Sequence, residues 1–311
     1  LAALCALWAL LRPAAEGAGL AQVTQPVLGR PLGRLVLLLC LGWGLLLLAA
    51  NARLFSLRFL STSYSNSPAG LFLAVLLALA LWLAWKPVRV LARAGEIFRL
   101  ALAVGLAFSL ALGAFQIEPR HVLPIWTEDV PGLLSAAMPV LGLLGYGLFA
   151  AFLGGNVTRT ENDRRRLLVW GTVFCLVLTA LQLVCQGNFG PTLTARADTP
   201  FFLMVKGIGI EGTFQRVESL IIALWVFSDL ALLALLASSC AALAQAVFSL
   251  KERRHAAVPV AGLALAGAWL LFPDAFSLDR WMENVVWPGN LLLGFGLPVL
   301  LLLVKKLRGQ V

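Results

Sequence analysis

Apolar residues run along this chain in long blocks, separated by short basic or mixed segments. Blocks of spanning length lie at about 34–57, 69–86, 97–117, 132–155, 167–186, 214–249, 256–272 and 289–304. Each predicts a helix able to cross a hydrocarbon core of ~30 Å. The opening run Leu1–Leu11 is too short for that and lacks a basic signal-peptide start; it reads as the tail of a spanning helix ending near residue 12. The block from Phe214 to Ser249 is longer than a bilayer needs, which predicts tilt or continuation beyond Ser238-Ser239. The pattern predicts a single integral-membrane domain over 1–311, all-α and polytopic.

Composition excludes the soluble alternative. Sixty per cent of residues are hydrophobic, 13% are charged, and the mean hydropathy is +0.91, so too few polar side chains exist to cover a globule. The formal charge of +9 would raise the question of nucleic acid in a soluble chain. Here the basic residues alternate by side instead. Arg12, Arg30, Arg34, Lys86, Arg89, Arg93, Arg99, the Arg159–Arg166 group, Lys251, Arg253, Arg254, Lys305, Lys306 and Arg308 make 17 of the 24, all on every second connection. That side is expected to be cytoplasmic, with the C-terminus inside and no nucleic-acid partner. Counting back, the partial helix runs inward. An inside N-terminus then needs one more helix ahead of it, giving ten spans, the count of two five-helix inverted repeats.

Two connections on the opposite side are longer than a turn. Gly187–Thr213 contains the apolar segment Phe201–Ile210, too short to span and expected to be re-entrant or interfacial. Asp274–Pro288 carries Trp281 and Trp287, as an aromatic belt would.

Candidate chemistry is sparse. Cys5, Cys40, Cys175, Cys185 and Cys240 are scattered singly and read as small buried hydrophobes, with neither zinc nor a disulfide framework expected. His121 and His255 fall on opposite sides of the membrane, and no catalytic motif occurs, so no enzyme activity, catalytic residue, metal or cofactor is expected. The Asn156-Val157-Thr158 sequon lies in a basic loop assigned to the cytoplasm and is discarded. In the fourth complete span, Pro139 removes a backbone donor and Gly142, Gly145 and Gly147 weaken the helix after it. Unwinding there would bare carbonyl and amide groups of the kind secondary transporters use to hold a substrate; close helix packing is the plain alternative. Asp229 sits three turns beyond Glu218, deep in the sixth span. An unpaired charge there costs at least ~2.5 kcal/mol, so it should face the bundle, to bind an ammonium, carry a proton, or join two helices while neutral. Arg53, beside Asn51, is expected to snorkel outward. Arg93, Glu96 and Arg99 read as an interfacial cluster.

Several of these stretches resemble one family. Phe214-Gln-Arg216-Val-Glu218-Ser219, followed by Trp225, is similar to the RxES…W helix of the spore germination permeases. These are the B subunits of Ger-type germinant receptors, in the amino acid/polyamine/organocation transporter superfamily. Ser67-Pro68 and Arg93-Ala-Gly-Glu96-Ile resemble that family's TP…aRxaEi stretch, His121-Val-Leu123-Pro124 its LlP loop, and Leu28-Gly29-Arg30-Pro31-Leu-Gly33-Arg34 the start of its third helix. The matches run in family order from about residue 10 to the C-terminus. Around Gly145–Gly147, where relatives often have a carboxylate, this chain has none.

The resemblance implies a ten-helix, LeuT-like inverted-repeat bundle, here without the first helix and part of the second, and with a pocket between helices 1, 3, 6 and 8. Gly142–Gly147 would be the break in helix 6, and Trp225–Asp229 would lie on helix 8. The ligand-binding candidates are then Gly142, Gly145, Tyr146, Gly147, Trp225, Ser228 and Asp229. The implied function is a nutrient-sensing subunit of a spore germinant receptor in the spore membrane, with an amino acid as the expected small-molecule germinant. The implied partners are an A subunit, a lipoprotein C subunit and the lipid bilayer. A proton- or sodium-coupled amino-acid or polyamine permease, and a scaffold subunit that binds nothing, are the alternatives.

Overall fold

The computed structural model of the chain describes residues 19–62, 68–122, 130–157, 162–197, 199–207 and 217–308. Among them there is no strand: the protein is an all-α, polytopic membrane protein. The partial helix expected at 1–12 lies outside the described residues, as do Leu123-Pro124 and the Phe214-Gln-Arg216 start of the RxES run.

The helices are α1 (Leu20–Leu28), α2 (Arg30–Thr62), α3 (Ala69–Trp85), α4 (Val88–Ala114), α5 (Val130–Leu144), α6 (Gly147–Phe152), α7 (Asp163–Arg196), α8 (Pro200–Gly207), α9 (Val217–Phe248), α10 (Arg254–Leu270), α11 (Ala275–Trp281), α12 (Trp287–Leu291) and α13 (Leu297–Leu307). Two π-helical stretches, Met282–Val286 and Leu292–Gly296, join α11, α12 and α13 into one rod. Among the described residues five helices are long and apolar enough to cross a membrane: Arg30–Leu60, Val88–Ala114, Asp163–Arg196, Ile222–Phe248 and Ala275–Leu307. At 17 residues each, α3 and α10 stand at the lower limit for spanning.

The element boundaries differ from the hydropathy pattern in instructive ways. The segment ahead of the first complete span is not a plain connection but the short helix α1, which ends at Gly29 with φ 87°. Only a residue without a side chain takes that left-handed turn cheaply. The last span was expected to begin at 289, yet the helix starts at Ala275, because Asp274 caps it by accepting from the Ser277 amide at 2.7 Å. Its polar first turns carry Asp279, Arg280 and Glu283 and so hid from a hydropathy window. Each π stretch stops just short of a proline, Pro288 or Pro298. A proline has no N–H and its ring crowds the carbonyl four residues back, so the ladder widens there instead of breaking.

The chain forms two compact units. The first comprises 1–94, 136–164 and 229–311. Its hub is α2, which packs against α1, α3, α10 and α11 and buries Leu37, Cys40, Leu47, Leu48, Ala49, Ala50 and Ala52. Arg53 does not snorkel, as its place near the helix end had suggested. Its side chain is 5% exposed. Nε donates to the Phe272 carbonyl at 2.9 Å and Nη2 to the Pro273 carbonyl at 2.6 Å, with the guanidinium over the Trp269 ring. A cation is thus set on the open C-terminal end of α10, where the helix dipole is negative. Arg253 does the same for α3, donating from Nη2 to the carbonyls of Ala84 and Lys86 at 3.1 and 2.7 Å. Burial there pulls its basicity below the usual arginine value.

The second unit comprises 95–135 and 165–228. Val184, Cys185, Phe202, Met204, Val205 and Leu224 form its core. The apolar segment after the fifth span is helical over Pro200–Gly207 and supplies three of those side chains. On α4, Gly105, Ser109 and Gly113 are buried at i, i+4 and i+8, a small-residue stripe that lets Leu224 and Met204 lie against the backbone. The helix expected to end near 186 continues to Arg196 through a kink at Gly190, φ 76°. Pro191 has no proton for the Gly187 carbonyl; the Glu118 amide and His121 Nδ1 take that carbonyl instead, both at 3.0 Å.

Replacing Arg53 with Met keeps the aliphatic stem and removes both carbonyl bonds. Thermal unfolding in detergent should show a loss of about 1.5–3 kcal/mol, the worth of hydrogen bonds from a charged donor.

Candidate functional site

The polar groups of the first unit gather along one side of α2. Asn51 and Arg58 are seven residues apart, two turns, and so share a face about 10 Å apart along the axis. Trp43 lies a little over two turns away in the other direction. Opposite them stand the junction of α5 and α6, the deep part of α9, and α12.

At the glycine-rich junction the helix is interrupted between Leu144 and Gly147, but the chain stays tightly wound. The Gly145 amide bonds the Gly142 carbonyl at 3.1 Å, Tyr146 bonds Leu143, Leu148 bonds Gly145, and Phe149 bonds Tyr146. The α ladder tightens to 3₁₀ pairing, so these amides keep partners and are not free for a ligand. Two of the three glycines there serve packing. A methyl at Gly142 would lie 3.0 Å from the Trp287 backbone, and one at Gly145 would lie 2.5 Å from the Asn290 carbonyl oxygen. Gly294 answers from the other side, where a methyl would strike the Cα of Gly145. Gly147 differs: nothing lies within 4 Å of the place its Cβ would take.

Close packing at the junction holds Tyr146 in a hydrogen-bonded cluster. Asn51 Nδ2 donates to the Tyr146 hydroxyl at 2.9 Å and to the Leu47 carbonyl at 2.7 Å. The Asn290 backbone stands beside them, its carbonyl close against Gly145. Trp43 Nε1 donates to Asn290 Oδ1 at 2.9 Å. Asn290 itself is 2% exposed and lies on α12 between the two π stretches, where the prolines have already loosened the ladder. From α9, Ser239 donates to the Phe149 carbonyl at 2.8 Å, fixing α6 at the far side of the junction.

Asp229 is paired. Its Oδ2 lies 3.2 Å from Arg58 Nη1, with the two side chains one-fifth and about one-quarter exposed. The pair offsets the charge that the depth of Asp229 would otherwise leave bare. Of the seven candidates, Gly142, Gly145, Tyr146, Gly147 and Asp229 therefore lie in the first unit, the first three in direct relation to Trp287 or Asn290. Trp225 and Ser228 belong to the second unit, where Trp225 packs on Phe202 with ring centroids 5.2 Å apart and Ser228 is exposed. Sequence reasoning missed Trp43, Arg58 and Asn290. The readable signal was Asn290 itself, a lone amide in an apolar run between two prolines. Among the described residues no group of three or more His, Cys, Asp or Glu gathers as a metal site would.

The sequence matches the family described as spore germination protein over residues 2–271 of 311. The chain belongs to that family. It is also 25% identical over 199 residues, 62% of its length, to a candidate spore germination protein of Bacillus subtilis (strain 168), YfkT. The aligned region is 53% of that relative, so the chain spans about half the length of the curated relative it matches. With five helices of spanning length among the described residues, this member of the family is integral to a lipid bilayer.

Alanine at Gly145 should lower the melting temperature in detergent sharply, at a cost of about 1–3 kcal/mol for overpacking against fixed backbone. Alanine at Gly147 should leave it within about 0.5 kcal/mol. Equal effects of the two would contradict the assignment of Gly145 to packing and Gly147 to open space.

Proposed function

We propose that this protein is the small-nutrient sensing subunit of a spore germinant receptor, binding its ligand at the cluster around Tyr146. One observation carries the reading: in a chain of the spore germination family, the uncharged hydrogen-bonded pairs Asn51–Tyr146 and Trp43–Asn290 lie at the glycine-rich α5–α6 junction. Polar groups within a bilayer are costly and mark binding or conduction paths.

In this reading the two stretches of the fourth complete span correspond to a broken helix of a ten-helix inverted-repeat bundle, and the basic side with the C-terminus faces the cytoplasm. The protein resides in the spore's inner membrane and passes a change of state to an A subunit and a lipoprotein C subunit. Sensing needs only that the ligand prefer one of two states of the bundle. The permease alternative would use Asp229 to carry a coupling ion, but the Arg58 partner already occupies that carboxylate. A scaffold that binds nothing would have no use for the Tyr146 cluster.

Spores carrying Arg58→Gln or Asp229→Asn should need about tenfold more nutrient for half-maximal germination, since either change breaks the partly buried ion pair. Exchange of the two charges should recover part of the response. Dose–response curves of dipicolinic acid release measure both. Unchanged curves in the single variants would remove the pair from sensing, and saturable, gradient-driven uptake into proteoliposomes would replace the sensor with a permease.

A further inference from the structure

We propose that the elbow joining α3 to α4, together with the start of α10, is a binding site for an anionic phospholipid, with an acyl chain along α3 and the phosphate at Lys86 and the basic residues around Arg253. The proposal draws on none of the residues of the Tyr146 cluster and stands apart from the sensing reading. α3 and α10 lie antiparallel and end together. At one end Gly70 abuts Trp269, where an added methyl would come 2.9 Å from the ring. At the other, Arg253 Nη2 donates to the carbonyls of Ala84 and Lys86. Those two bonds fix the Lys86-Pro87 elbow against the start of α10.

Positive charge is concentrated there. Lys86, Arg89 and Arg93 come from one segment and Lys251, Arg253 and Arg254 from the other. Glu252, the one carboxylate within 86–94 and 251–255, pairs with Arg254. Lys86 Nζ is held over the Trp82 ring, 5.3 Å from its centroid, so its charge stays at the helix end. Bare carbonyls at the end of α3 would draw cations, but Arg253 covers two of them, which leaves the surrounding charges to an outside partner. Arg253 Nη1 is itself covered and has no acceptor among the described residues. An orphaned guanidinium nitrogen amid five further cations calls for an oxyanion.

The face of α3 that leads to the elbow selects a lipid over a free anion. Leu71, Val75, Leu79 and Trp82 are exposed. With Lys86 they recur every three or four residues and form one stripe, about 22 Å long. Its order, aliphatic then aromatic then cationic, is that of a phospholipid environment read from acyl tail to headgroup. Length points the same way. α3 and α10 have 17 residues each, about 25 Å, against a hydrocarbon core of ~30 Å. A pair this short draws the phosphate layer toward its ends or sends long cations out to it, and either way a phosphate meets Lys86. A zwitterionic lipid would bring its own ammonium among six cations, whereas an anionic one adds none.

The test is native mass spectrometry of the full-length protein in detergent, titrated with dioleoylphosphatidylglycerol or dioleoylphosphatidylcholine. The first should be retained at a several-fold lower concentration. Lys86→Gln, which spares the backbone carbonyl that Arg253 uses, should weaken phosphatidylglycerol about fivefold, the worth of one basic side chain beside an anionic lipid surface. Adding Arg254→Gln should bring the loss to about twenty- to thirtyfold, whereas Lys305→Gln with Lys306→Gln on α13 should stay within about twofold. Equal retention of the two lipids would overturn the proposal, and so would an equal loss in the α13 variant. Competition by inorganic phosphate at the same concentration would leave an anion site with no use for the stripe and overturn the lipid assignment. Poly-L-glutamate binding lost in the double variant, without lipid preference, would give the surface to an acidic protein segment instead. Should a variant not elute as a monodisperse species, the wild-type comparison of the two lipids decides.

Discussion

A carbonyl that loses its helical partner inside a bilayer has no water to turn to. That constraint explains more of this protein than any single packing contact. At Pro191 the freed Gly187 carbonyl is taken by the Glu118 amide and His121. At Pro288 and Pro298 the helix widens into π turns. The open ends of α3 and α10 are closed by Arg253 and Arg53. At the α5–α6 junction the ladder tightens and does not open. At Pro191 and at the ends of α3 and α10 a polar group from elsewhere in the same unit takes the bared carbonyl, while at the π stretches and the α5–α6 junction the ladder itself adjusts.

This accommodation puts α2 at the centre of the proposed sensing site as well as of the packing. One side of the helix caps α10 through Arg53. The side bearing Asn51 and Arg58 faces the Tyr146 cluster and Asp229. A shift of α2 by a fraction of a turn would strain the cap, the amide bond to Tyr146 and the ion pair together, so the three are coupled through one rigid element. Such coupling is the physical requirement for a ligand at one point to be felt at another.

The membrane class and the main helices were legible because hydropathy over twenty residues is a strong signal. Helix extent was not, wherever a polar turn belongs to the helix, as at Ala275–Trp281, or a proline is bridged, as at Pro191. At Gly142–Gly147 the composition left unwinding and close packing both open, and only the folded bundle shows that Gly145 and Gly294 admit another backbone. Asp229 was recognised as needing a partner, whereas Arg58, 171 residues away, could not be named from a pattern. Asn290 and Trp43, 247 residues apart in the chain, meet only in the folded bundle.

The π stretches on either side of Asn290 carry one more consequence. A π turn holds one residue more than the α turn it replaces. Conversion of either stretch to α would therefore rotate everything on one side of it by about 100° relative to the other, with a slide of about 1.5 Å. Within Met282–Gly296 the rod has two such slip points, and Asn290 is carried on the short segment between them.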